Sequence, residues 1–288
     1  MKAFALFIIS ALSLFAVSAE CPEGMISYWS FDDSNQPFLD EFGNNSGECS
    51  DSHCPLQVQG FSGLALSFDG TDDYVKIKDS DDLSFKDEGS IFAWVYLFES
   101  SGYRAVATKG TEHWMGFFNG TYLLRIDSGS SDGRWQGPLI ADRNITPDEW
   151  HFIGYTLKEG ERTIYIDGKK AGSDLNGSVQ NNTGNNMYIG ACTAENPQGD
   201  FWFKDKIDEV MIFSRALDTD EVNKLFLSYK ETGSDCKKKT ADDTQETAKN
   251  FKDENEIDYA VLSVIAAVII GLVVFCTVKI KKNLRRKK

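Results

Sequence analysis

Tyr259–Val278 constrains the chain more than any other stretch. It reads YAVLSVIAAVIIGLVVFCTV, twenty residues without a charge. A helix of that length, at 1.5 Å per residue, is about 30 Å long and matches the hydrocarbon core of a bilayer. Asp258 closes one end. The other runs into Lys279, Lys281, Lys282, Arg285, Arg286, Lys287 and Lys288. Such a basic cluster favours a cytoplasmic C-terminus. Everything upstream then has to fold on the far side of the membrane.

The other end agrees. Met1–Ala19 reads as a secretory signal peptide: Lys2, an apolar run to Ala16, and small residues at Val17 and Ala19. The expected organisation is signal peptide 1–19, folded domain 20–236, disordered polar stalk 237–258, transmembrane helix 259–278 and basic tail 279–288. The chain is a single-pass membrane protein with its N-terminal domain extracellular or lumenal. Between Glu20 and Asp258 there are 22 basic residues against 44 acidic ones, 22 minus 44 or a net charge of −22. A surface this acidic argues against nucleic acid and anionic lipid as partners of the domain. It suits bound cations, cationic partners or simple solubility.

Five of the six cysteines precede the span: Cys21, Cys49, Cys54, Cys192 and Cys236. In an oxidising compartment such thiols pair. Cys49 and Cys54 flank a four-residue segment and are expected to close a small loop. A metal site built on His53 would have at most three ligands there. The odd number leaves one cysteine over. Cys276 lies within the span, a lipid-attachment candidate or a small apolar residue of the helix. Five glycosylation sequons begin at Asn44, Asn119, Asn144, Asn176 and Asn181.

From Ile26 to Phe213, short β-branched and aromatic runs alternate with Gly, Asn, Asp and Ser. Strands are expected at 26–31, 65–68, 74–77, 90–98, 103–108, 114–118, 122–126, 151–157, 163–166, 186–189 and 209–213. Asp69-Gly70, Asn119-Gly120, Asp132-Gly133 and Asp167-Gly168 supply turns. No βαβ rhythm appears, so the fold class is all-β, a sandwich or barrel with a full core. One helix follows. Asp218 can cap it, with Glu221 in the reciprocal position. Val222, Leu225, Phe226 and Tyr229 form an apolar stripe along it.

The order of these segments resembles the laminin-G-like, concanavalin-A-like jelly-roll family. The resemblance rests on the stretches from Gly24 to Asp32, from Gly63 to Gly70 with Asp73-Tyr74-Val75, and Phe92-Ala93-Trp94-Val95. It continues through Trp150-His151-Phe152, the stretch from Tyr165 to Lys169, and the closing run from Ile207 to Leu217. It implies an antiparallel β-sandwich, a concanavalin-A-like jelly roll, whose first and last strands are adjacent. That adjacency would let Cys21 and Cys236 clasp the two ends of the domain, closing a very long loop. Cys21–Cys192 is the rival pairing.

The resemblance also implies a structural calcium near Asp69 and Asp208, with Asp72 and Asp73 close enough in sequence to add ligands. Calcium takes six to eight oxygens. The alternative is a turn-forming Asp69 and a solvated Asp208. Catalysis is not expected: the paired carboxylates of glycan hydrolases are missing, and Asp208-Glu209 would point to opposite faces of a strand. His151 reads as structural. Sandwich lectins present aromatic rings to ligands, and Trp135, Trp202 and Trp114 are the candidates, unless all six tryptophans are core. Trp29, Trp94 and Trp150 fall at family core positions. The expected function is recognition or adhesion, with glycan or protein ligands on an extracellular surface. The alternatives are a structural or accessory subunit of a membrane assembly and, third, a glycan-processing enzyme.

Overall fold

The computed structural model describes residues 21–33, 36–85, 88–100, 102–129, 135–178, 184–192 and 201–232. The segments expected as signal peptide, stalk, transmembrane span and basic tail lie outside these residues, as do Cys236, Cys276 and Asn181. Among the described residues no helix is long and apolar enough to cross a membrane.

Among the described residues, fifteen strands, two short 3-10 helices and one α-helix make up the fold. In chain order the strands are β1 (Met25–Trp29), β2 (Gly47–Glu48), β3 (Leu56–Gln59), β4 (Leu64–Asp69), β5 (Val75–Ile77), β6 (Glu88–Tyr96), β7 (Arg104–Lys109) and β8 (His113–Phe117). They continue as β9 (Leu123–Ser128), β10 (Leu139–Asn144), β11 (Trp150–Lys158), β12 (Glu161–Ile166), β13 (Lys169–Asp174), β14 (Met187–Ile189) and β15 (Lys204–Phe213), followed by α1 (Thr219–Thr232). One sheet runs β13-β12-β11-β6-β15-β4-β3, with β1 also paired to β15; the other runs β10-β9-β8-β7-β14-β5-β2. All pairings are antiparallel. This is the expected sandwich, with first and last strands adjacent.

Two apolar layers hold it together. Between the sheets lie Trp29, Leu66, Val95, Met115, Ile126, Ile153 and their neighbours. The outer face of the eight-stranded sheet is covered in turn by α1, whose Val222, Leu225 and Tyr229 are buried against Tyr28, Phe92, Trp94 and Phe152. β6 and β11 are therefore covered on both faces, and seven consecutive residues in each are buried. That is why they read as continuous apolar runs rather than alternating ones. The helix starts where its cap predicts: Glu221 donates its backbone N–H to Asp218 Oδ1 at 2.8 Å, and Asp218 donates its own to Glu221 Oε2 at 2.9 Å.

Two hairpins use paired left-handed residues. Asp167 and Gly168 join β12 to β13 with φ of 50° and 73°, and Glu159 and Gly160 join β11 to β12 with φ of 48° and 84°. Such turns match the right-handed twist of the strands. Asp167 also ties its turn to β11: Oδ1 accepts the N–H of Phe152 at 3.0 Å, and Oδ2 lies 2.8 Å from His151 Nδ1. The opposite ring nitrogen of His151 is 3.0 Å from the carbonyl oxygen of Thr146, so the buried imidazole is a structural strut, as expected.

Cys49 and Cys54 form a disulfide with Cα atoms 5.1 Å apart. Cys21 is also disulfide-bonded. Asn44, Asn119, Asn144 and Asn176 are exposed.

Candidate functional site

The seven-stranded sheet has one face in the core and one outside. Along β9 the alternation is direct: Leu124 and Ile126 are core, while Arg125 and Asp127 point outward. Across the ladder Asp127 is the partner of Trp114 and Arg125 the partner of Gly116. A Cβ at Gly116 would come within 2.9 Å of the Trp114 ring, so the glycine lets the indole lie along the sheet.

Trp114, Arg125 and Asp127 floor a cavity of about 440 Å³, walled by Tyr103, Trp135, Gly137, Pro138, Cys192 and Phe201. That volume falls in the range of small-ligand pockets, roughly 300–1,000 Å³. Arg125 is gripped by its surroundings. Its guanidinium carbon lies 5.3 Å from the Trp114 ring centre and 5.6 Å from that of Tyr103, and Nη2 donates to Asp127 Oδ2 at 3.1 Å. Burial pushes the Asp127 carboxyl above the usual carboxylate range, against the pull of Arg125 and Arg162. The site thus pairs a fixed donor with a fixed acceptor, between aromatic rings that offer apolar faces.

The sequence candidates divide. Trp135 is 42% exposed and Trp114 only 6%, yet both line the cavity. Trp202 is half-buried and outside the lining, where Phe201 stands instead. Trp29 and Trp94 are buried as expected, and Trp150 is half-buried. Arg125 and Asp127 escaped the sequence reading, although polar residues at alternate positions of Leu-Leu-Arg-Ile-Asp-Ser were a usable sign of an outward face.

The proposed calcium ligands also divide. Carboxylate oxygens of Asp69, Asp72 and Asp73 lie within 4.8 Å of one another and can coordinate a metal ion. Their hard, anionic oxygens fit such an ion. Burial, then the charges of Asp69 and Asp72, push the Asp73 carboxyl up, although the Asp69 amide bonds to it. His53 Nδ1 lies 3.1 Å from Asp72 Oδ2.

Asp208 is not part of this group. Lys204, not Asp208, is the cross-strand partner of Asp69, and Asp208 lies four residues further along β15, about 13 Å at strand rise. The closing strand begins at Lys204, not Glu209, so Asp208 sits mid-strand and is fully buried. Its Oδ2 accepts the backbone N–H groups of Phe61 and Ser62 at 2.8 and 3.2 Å. Burial, then the neighbouring Glu209, pushes its carboxyl up to about 9. A bulge between Asp208 and Met211 breaks the strand's alternation, and Glu209, at φ 53°, is buried as well, accepting from Tyr28 Oη at 2.5 Å. Asp208 is thus a structural acceptor in the interior, neither a calcium ligand beside Asp69 nor a solvated residue.

A sequence family described as the Concanavalin A-like lectin/glucanases superfamily, a laminin G type, matches residues 69–223. The chain belongs to this superfamily. No curated protein matches it. Solved structures share the fold. The binding domain of Paraclostridial Mosquitocidal Protein 1 aligns with a TM-score of 0.59 at 16% identity, over 72% of this chain and 53% of that one. Domain 4 of AbnA, an extracellular arabinanase of the GH43 class from Geobacillus stearothermophilus, solved with arabinotriose, gives 0.54 at 20% identity, over 70% and 98%. The ligand-binding domain of botulinum neurotoxin serotype D, in complex with N-acetylneuraminic acid, gives 0.53 at 13% identity, over 71% and 50%. The chain spans about half the length of the two toxin domains.

Proposed function

We propose that the domain is a non-enzymatic glycan-binding module, displayed outside a membrane by the 259–278 span and a 237–258 stalk. The cavity over β8 and β9 carries this reading: aromatic faces for the apolar sides of a sugar ring, and the Arg125–Asp127 pair for its hydroxyls. The fold supports it, since domains of this shape are described as binding arabinotriose and N-acetylneuraminic acid. The carboxylate among the described lining residues is Asp127, tied to Arg125, whereas acid–base glycoside hydrolysis needs two facing carboxyls.

A glycan array probed with the Glu20–Lys237 fragment tests the proposal. Selective hits are expected, and Trp135→Ala should weaken them about 30-fold or more, the loss typical of an exposed aromatic anchor. A clean array together with a stable membrane partner in pull-downs would replace this reading with the accessory-subunit one.

Calcium belongs to the same proposal, held by Asp69, Asp72 and Asp73. Bound there, the ion would offset most of the charge of three crowded carboxylates and fix the link between β4 and β5. An ion that binds only the folded state adds about 2.7 kcal/mol at a hundredfold excess over its dissociation constant. The domain is therefore expected to melt higher in millimolar calcium than in chelator, and Asp73→Asn should remove most of the difference. Identical melting in calcium and chelator would eliminate the ion.

A further inference from the structure

We infer that the cavity over β8 and β9 selects neutral saccharides against sialylated and other anionic ones; this rests on the glycan-binding reading above. Among its described lining residues one cation, Arg125, is matched by one anion, Asp127. The match is internal. Asp127 Oδ2 accepts from Arg125 at 3.1 Å, and the two rings beside the guanidinium take up its faces. An incoming carboxylate therefore meets a guanidinium already neutralised, with the Asp127 carboxylate next to it.

A neutral ring meets no such opposition. One hydroxyl accepts from the guanidinium, the next donates to the carboxylate, and its C–H face lies on the exposed indole of Trp135. The other guanidinium beside Asp127 among the described residues, that of Arg162 at 4.0 Å, is held by Asp174 at 2.5 Å. The toxin domain described with N-acetylneuraminic acid shares the fold with this chain at 13% identity, and its preference need not carry over.

The full chain in detergent micelles is probed on an array printed with matched neutral and sialylated forms of the same oligosaccharides. Neutral forms are expected to bind at least about tenfold more tightly, with the gap narrowing as salt is raised. Asp127→Asn is expected to close the gap by freeing the guanidinium charge, and its melting temperature shows whether it folds. Hits that favour the sialylated forms, or make no distinction, would overturn the selectivity and leave the binding function standing. No hits of either kind would overturn the binding function itself.

Discussion

Arg162→Met is expected to destabilise the domain by about 3–5 kcal/mol, the usual consequence of stripping one partner from a buried ion pair. In a domain of this size that lowers the melting temperature by roughly 10 °C. Arg162 is fully buried on β12. Its Nε donates to Asp174 Oδ1 at 2.9 Å, Nη2 to Asp174 Oδ2 at 2.5 Å, and Nη1 to the carbonyl oxygen of Gly137 at 2.9 Å. Nη1 also lies 4.0 Å from Asp127 Oδ1. Gly137 and Asp127 both line the cavity, so the same substitution should loosen the binding site.

The pH dependence follows from Asp174. Burial alone would raise its carboxyl, but the bonds and charge of Arg162 hold it below the usual range. A depressed folded-state value contributes stability that is fully present above the unfolded value of about 3.9. That contribution is lost as the pH falls through the lower folded value. Arg162→Met should flatten this part of the acid-unfolding profile, and adding Asp174→Leu should recover much of the lost stability by removing the orphaned charge. Unchanged urea midpoints for Arg162→Met would show that the pair is energetically idle.

The eleven strands expected from sequence all form, with ends displaced by a few residues. The four that were not expected, β2, β3, β10 and β13, end the two strand orders; β1, paired with β15 alone, is also at an edge but reads as strand because it is largely buried. Edge strands are under little pressure to be apolar and are commonly polar or charged to discourage pairing with other chains. β13 reads Lys-Lys-Ala-Gly-Ser-Asp and buries Ala171 alone, so its sequence carries almost no period to read. β15 was truncated for a related reason. Its first half, Lys-Asp-Lys-Ile, looks like loop, and only pairing with β4 and β6 makes it strand.

The site was half legible. Tryptophans can be picked from composition, and two of three candidates meet in one cavity. Arg125 and Tyr103 are brought to them by the pairing of β7, β8 and β9, which composition does not encode. Asp208 misled because a bulge and a buried environment are tertiary properties: in sequence, Ile-Asp-Glu-Val is a strand entry with two solvated acids.

Trp94→Ala is expected to cost about 3–5 kcal/mol, as large aromatic truncations in a core do. Trp94 lies on β6 beneath the helix. Its ring stacks on Phe61 with centroids 3.5 Å apart and planes 10° from parallel, and it contacts Phe152, Phe226 and Tyr229 at 5.4, 5.8 and 6.2 Å. The last two belong to α1, so the cavity left behind opens directly under the helix and helical content should melt first. One effect opposes this. Trp94 Nε1 is buried and finds no hydrogen-bond partner among the described residues, and such an orphan costs about 1–3 kcal/mol. Alanine removes that penalty too, but the lost packing is larger and decides the sign. Phenylalanine separates the two terms, because it keeps a ring between Phe61 and the helix while shedding the N–H. Trp94→Phe should therefore cost clearly less than Trp94→Ala, because the cavity it leaves is much smaller and the cost of a core truncation grows with that volume. Equal losses for the two variants in chemical denaturation would mean that the indole nitrogen, not the stacked ring, is what β6 needs at this position.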